Sequence, residues 1–141
     1  MRKFRFRLQR VLEYRALQEE WAKEAWLEAR ALRIAAQQEL EATIEEKKRA
    51  ELILPSSVEE MQALDLYLER LDDEIEAQEA IVETLRQEEE KCHGEWIEAR
   101  KNHEALKRLR EKAYVAWQEE AARAEQKALD DWSNARRRKT A

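Results

Sequence analysis

The sequence predicts an all-α protein: two long helices folded back on each other as an antiparallel coiled-coil hairpin, with a C-terminal helical overhang. Three observations carry this expectation. Pro55 is the only proline and Gly94 the only glycine in 141 residues, so the chain has few places to turn. Charged residues make up 42% of it, a composition that with so little glycine and proline belongs to long helices and coiled coils rather than to disordered chains. Apolar residues also recur at alternating steps of four and three, the 3.5-residue period of a left-handed supercoil.

The whole chain, 1–141, reads as a single coiled-coil domain. Helix one is expected over about residues 4–53. Its stripe runs through Leu8, Val11 or Leu12, Arg15, Ala22, Ala25, Ala29, Leu32, Ala36, Leu40 and Ile44. The middle is alanine-rich; small side chains let two helix axes approach closely but bury little area, which at ~25 cal/mol per Å² makes this the weaker part of the seam. The turn falls at about 54–57, because Pro55 lacks an amide donor and disfavours helical backbone in the residue before it. Ser57 followed by Glu60 reads as a capping box that starts the next helix. Helix two is expected over about 58–135, with a basic tail at 136–141. Its stripe is the clearer one: Leu64, Leu68, Leu71, Ile75, Gln78, Val82, Leu85, Glu89, Cys92, Trp96, Ala99, His103 and Leu106.

The two helices are unequal, roughly 75 Å and 117 Å at 1.5 Å per residue. A fold centred near Pro55 sets Leu40 opposite Leu71 and Leu8 opposite the region of His103. Beyond about residue 108 helix two then lacks a partner within the chain, although apolar positions continue through Leu109, Ala113, Tyr114, Ala116, Trp117 and Trp132. Unpartnered apolar surface marks an interaction site. Charge is segregated as well. Residues 1–15 hold six basic residues against Glu13, and residues 100–112 hold six against Glu104 and Glu111; Arg136, Arg137, Arg138 and Lys139 add four more. Residues 59–98 hold fifteen carboxylates against Arg70, Arg86 and Lys91. Such a separation orients a molecule during encounter and weakens with salt.

Catalytic chemistry finds little support. His93 and His103 are the only histidines; Cys92 and His103 share a stripe but stand roughly 16 Å apart along a helix, too far to ligate one metal. No pair has the i,i+4 spacing of helical zinc sites, no phosphate-binding glycine loop occurs, and exposed carboxylates on a solvated helix make no acid–base pair. The expectation is a non-enzymatic chain with no metal and no cofactor. No run of 18 apolar residues is long enough to span a membrane. The basic N-terminus lacks a signal peptide's apolar stretch, and the lone Cys92 suits a reducing cytoplasm.

Three stretches resemble the FliJ family of the flagellar type III export apparatus. They are the basic, aromatic opening from Lys3 to Arg15, the segment Tyr67-Leu68-Glu69-Arg70-Leu71 with Ile75 and Gln78, and the run from Trp96 through Leu106–Lys112 to Glu125–Asp131. Their order and spacing extend over nearly the whole chain. The resemblance implies a fold like the central stalk of rotary ATPases and a cytoplasmic protein associated with the inner-membrane export apparatus through its partners. Those partners would be the hexameric export ATPase, the cytoplasmic domain of the export gate and the export chaperones. It places ring binding at Phe4, Phe6, Leu8, Leu12, Leu109, Tyr114, Trp117, Glu125, Gln126 and Asp130. It places gate binding at Tyr67, Leu71, Glu74 and Gln78, where Glu74 departs from the small or apolar residue expected in that patch. Two other classes fit the bare residues: a nucleic-acid-binding coiled coil, read from the basic end, and a holdase or spacer. No nucleic-acid partner is expected, because the basic end carries no identifiable recognition module.

Overall fold

A computed structural model describes residues 2–140. Two helices, α1 (Gln9–Glu51) and α2 (Val58–Thr140), pack against each other as an all-α hairpin. The chain divides into two compact units. One comprises residues 1–19 and 98–141, the other residues 20–97, and each contains part of both helices.

In the unit of residues 20–97 the helices are joined by the turn. α1 ends in a tightened last turn, with Leu52 N–H donating to the Arg49 carbonyl (3.2 Å) and Ile53 N–H to that of Ala50 (3.1 Å). The chain then passes through Pro55 into Ser57, whose hydroxyl accepts the Glu60 amide at 3.1 Å as an N-cap. The returning half of the capping box is displaced by one residue. Glu60 accepts from the Ser56 amide (2.8 Å) and the Ser56 hydroxyl (2.6 Å) rather than from the amide of Ser57. These two bonds hold the Glu60 carboxyl below its ordinary value, the hydroxyl bond first.

Every residue of the expected α2 stripe from Leu64 to Leu106 is buried or half-buried. The α1 stripe is different. Ala25 and Leu32 point outward, and Leu32 is 55% exposed. The inward positions in this unit are Ala22, Trp26, Ala29, Arg33, Ala36, Leu40, Thr43, Lys47 and Ala50, a four–three alternation, with Ile44 of the expected stripe half-buried beside it. Following apolar residues alone loses this register, because several seam positions are polar. Arg33 lays its stem along the seam and pairs with Glu89, while also donating to Gln37 at 2.8 Å. Lys47 reaches Asp72 at 2.5 Å, and Thr43 returns its hydroxyl to the Glu39 carbonyl at 3.1 Å.

The pairing register also differs from the turn-centred expectation. In the unit of residues 1–19 and 98–141, His103 meets Glu19 rather than Leu8, a displacement of about three helical turns. In the other unit Lys47 faces Asp72, so Leu40 sits well beyond Leu71. The cause lies at the turn. Residues 52–54 run out of the helix before Pro55, and the first turn of α2 carries on exposed, with Val58 at 70% and Met61 at 52%. The helices begin to pair only after those residues, which moves every facing pair along.

The seam is thin. Leu71, 1% exposed, is the one large side chain among the described residues that is fully enclosed; Ala29, Ala50, Thr43 and Cys92 are the other buried residues. Burial in the seam raises the Cys92 thiol above its usual range, with Glu88 adding to the effect. Gly94 is exposed within continuous helix, and a Cβ there would meet open space, so packing does not require the glycine.

Leu71→Ala is expected to destabilise the protein by about 2–4 kcal/mol in urea unfolding, whereas Leu66→Ala, at a position 68% exposed, should stay within about 0.5 kcal/mol. Glu60 supplies a pH-dependent increment. Its folded pKa is depressed, so the stabilisation is complete above the ordinary carboxylate value and is lost as pH falls through the folded value. The urea midpoints of the parent and Glu60→Gln should therefore differ at pH 7 and converge in acid below that folded value.

Candidate functional site

Residues 2–8 lie outside α1 and form the most distinctive local structure among the described residues. Phe4, Phe6 and Leu8 are half-buried, while Arg5 and Arg7 between them are exposed. This alternation is a period of two, which belongs to extended backbone. A helix would set Phe4 and Phe6 on nearly opposite faces; an extended segment turns both inward. That is why α1 starts at Gln9 and not near residue 4. The segment closes with Gln9 N–H donating to the Phe6 carbonyl at 3.1 Å, and the Leu8 carbonyl accepts from Leu12 at 2.9 Å as the helix begins.

Phe4 packs edge-on against Tyr114, with centroids 5.1 Å apart, and lies 5.8 Å from Trp117, which stacks on Tyr114 at 5.8 Å. Arg110 sits over the Phe4 ring at 5.4 Å, joining the segment to α2, and donates to Gln9 at the start of α1 at 3.2 Å. A groove beside Trp117, lined by Arg2, Glu120, Ala121, Ala124 and Glu125, continues along α2. The expectation that α2 has no partner within the chain beyond about residue 108 is thus corrected. The extended N-terminal segment packs on Tyr114 and Trp117, with Arg2 beside Ala121 and Glu125, while Leu109 and Val115 stay 48% and 51% exposed. Leu129 and Trp132 are 56% and 60% exposed, and the Arg136 guanidinium lies over the Trp132 ring at 5.3 Å. The stretch named as a basic tail is helical to Thr140.

The ring-binding residues implied by the resemblance therefore fall into three groups. Phe4, Phe6, Leu8, Leu12 and Trp117 are half-buried; Tyr114 and Leu109 keep 40% and 48% of their surface; Glu125, Gln126 and Asp130 are exposed, with Gln126 donating to Asp130 at 3.1 Å. Two residues of this unit were missed as a pair: Glu19 Oε2 and His103 Nδ1 lie 2.5 Å apart in the seam. This unit holds 18 lysines and arginines against 10 aspartates and glutamates, and the unit of residues 20–97 holds 9 against 22.

The implied gate-binding residues all lie in that acidic unit and do not form one surface. Leu71 is enclosed and Gln78 is half-buried in the seam, its side-chain oxygen buried without a hydrogen-bond partner among the described residues. Tyr67 lies at the seam edge, its hydroxyl donating to Glu46 and its ring under Arg70 at 5.3 Å; Glu74 is exposed. Leu71 cannot touch another protein while the seam is closed. Further along, Trp26 stacks on Trp96 at 5.1 Å, with His93 5.0 Å from Trp26. Among the described residues no cluster of His, Cys, Asp and Glu could hold a metal ion, and no helix is long and apolar enough to cross a membrane.

A family model described as flagellar FliJ protein matches residues 4–140. No curated protein and no solved structure matches the chain.

The aromatic cluster should be measurable in isolation. Phe4→Ala is expected to release the N-terminal segment, seen as faster tryptic cleavage after Arg5 and Arg7, with the helical spectrum unchanged. A double-mutant cycle with Trp117→Ala should give a coupling of about 0.5–1.5 kcal/mol.

Proposed function

The chain belongs to the flagellar FliJ protein family and is thereby a component of the flagellar export apparatus, and from that premise we propose that it acts without catalysis as a stalk-like coupling factor of the export ATPase. The observation that carries this reading is the combination found in the unit of residues 1–19 and 98–141. An excess of basic charge surrounds apolar residues that the chain leaves exposed, Leu109, Val115, Leu129 and Trp132. Apolar anchors supply binding energy at such an interface, and flanking charges govern encounter. The unit docks into the hexameric ring and promotes its assembly or turnover. The Phe4–Tyr114–Trp117 cluster holds the segment bearing Arg5 and Arg7 in place for that encounter.

In the same reading the acidic unit serves the membrane side of the machine. Its contact with the cytoplasmic domain of the export gate uses Tyr67 and Glu74, which reach the surface, while Leu71 and Gln78 support them from the seam. Exchange of export chaperones belongs to the same coupling role, and association with the inner membrane is through these partners alone.

Reversing Arg5, Arg7 and Arg10 to glutamate is expected to slow association with the purified ATPase ring chiefly at low salt. Trp132→Ala and Trp117→Ala should weaken binding at every salt concentration. Ring binding by surface titration and ATP turnover, at two ionic strengths, check both. Unchanged binding in all these variants overturns ring docking, and RNA binding by the parent that the charge reversal abolishes puts a nucleic-acid role in its place.

A further inference from the structure

The turn between the helices carries apolar surface that neither the fold nor ring docking uses. Leu52, Ile53, Leu54, Val58 and Met61 are 81%, 55%, 92%, 70% and 52% exposed, five large apolar side chains within ten residues. A connection between helices is ordinarily polar, because its backbone groups face water. Here Pro55, Ser56, Ser57 and Glu60 already supply the break and the cap, so the Leu-Ile-Leu run has no part in making the turn. The turn is also tied by hydrogen bonds at both ends. The Ser56–Glu60 and Ser57–Glu60 bonds fix its exit, and the Leu52 and Ile53 amides are bonded back to α1. A preformed apolar loop loses little conformational entropy on binding.

Charge identifies the class of occupant. Lys48 and Arg49 close α1, but from Glu51 through Glu69 there is no lysine or arginine, while Glu51, Glu59, Glu60, Asp65 and Glu69 are all present. Lys47, one turn back, is engaged by Glu51 at 3.7 Å and Asp72 at 2.5 Å. An apolar surface with acidic neighbours repels an anionic lipid headgroup and a nucleic-acid backbone alike. It also disfavours the same loop of a second copy, since like charges would be brought together as the apolar side chains met. Charge complementarity is met by a protein whose apolar cleft is bordered by lysine or arginine.

We propose that the turn from Leu52 to Met61 is a docking knob for such a protein, a second interaction surface separate from the ring-docking unit and independent of it. Leu52 and Leu54 enter the cleft, and Glu51, Glu59 and Asp65 meet the basic border. Because these leucines lie outside both helices and are exposed, changing them leaves the seam intact.

The test places a photo-crosslinking benzoylphenylalanine at Leu54 of the full-length protein in its native cell, with the same probe at exposed Glu76 as reference. Adducts and the joined peptide are identified by mass spectrometry. The expected result is an adduct at Leu54, absent at Glu76, with one protein other than this chain, mapped to apolar residues flanked by lysine or arginine. With that protein purified, Leu52→Ser combined with Leu54→Ser should weaken binding by at least about tenfold while the helical spectrum stays that of the parent. Added salt should weaken binding by the parent. An adduct with a second copy, with phospholipid or with RNA overturns the proposal. So does an acidic contact site, no adduct above the Glu76 reference, or unchanged affinity in the double variant. None of these outcomes alters the ring-binding measurements, so the two readings fail separately.

Discussion

Burial of one narrow stripe of α2 against α1 is the constraint on which the rest of this structure depends. Two helices have one shared seam and no second layer, so few side chains leave water completely, and Leu71 alone among the large ones described does so. Stability must then come from many half-buried contacts, and the partners have to stay in register for those contacts to form. The polar seam pairs act at this point. Arg33 with Glu89 in one unit and Glu19 with His103 in the other match only when the helices are correctly aligned. Partly buried ion pairs add little net stability, but an unpaired charge in the same place is costly, which disfavours slipped alignments.

The two non-helical segments follow different rules from the seam. The N-terminal segment alternates aromatic and arginine residues, so an extended backbone buries one set and displays the other. It turns part of α2 that would otherwise be bare into an internal contact, and it sets arginines in defined positions beside that contact. The turn does the reverse. Its polar residues are spent on capping, and its apolar residues are left facing water. Exposed apolar side chains thus occur at the turn and towards the end of α2, and also along the paired stretches, as at Tyr14, Trp21, Leu32, Leu66 and Ile81.

The sites implied by the family resemblance separate along the same line. Residues on the open surface, such as Glu74, Glu125 and Asp130, are free to meet another protein. Leu71 and Gln78 belong to the seam, a distinction that a list of motif residues does not contain. The four–three spacing of α2 already held that information, since Leu71 and Gln78 stand on the stripe and Tyr67 and Glu74 beside it. The alternation from Phe4 to Leu8 was likewise legible, as a period of two that a helical expectation passes over. No sequence signal marked Trp26 and Trp96 as a stacked pair or Glu19 as the neighbour of His103, because the partner of a seam residue depends on how far the turn displaces the two helices.

The amino-acid sequence by itself determined the all-α class, the break at Pro55, the start of α2 at Val58, the α2 seam and the segregation of charge. These are local properties: breaker residues, caps and periodicity act over a few residues and need no knowledge of what lies opposite. The tertiary structure alone decided the polar seam positions of α1 at Arg33, Thr43 and Lys47, the facing pairs and the fate of Phe4, Tyr114 and Trp117. In α1 the apolar pattern is diluted by alanine and interrupted by Arg33 and Lys47, so hydrophobicity does not single out one face. The face was selected by the register in which α2 could bury its own, stronger stripe.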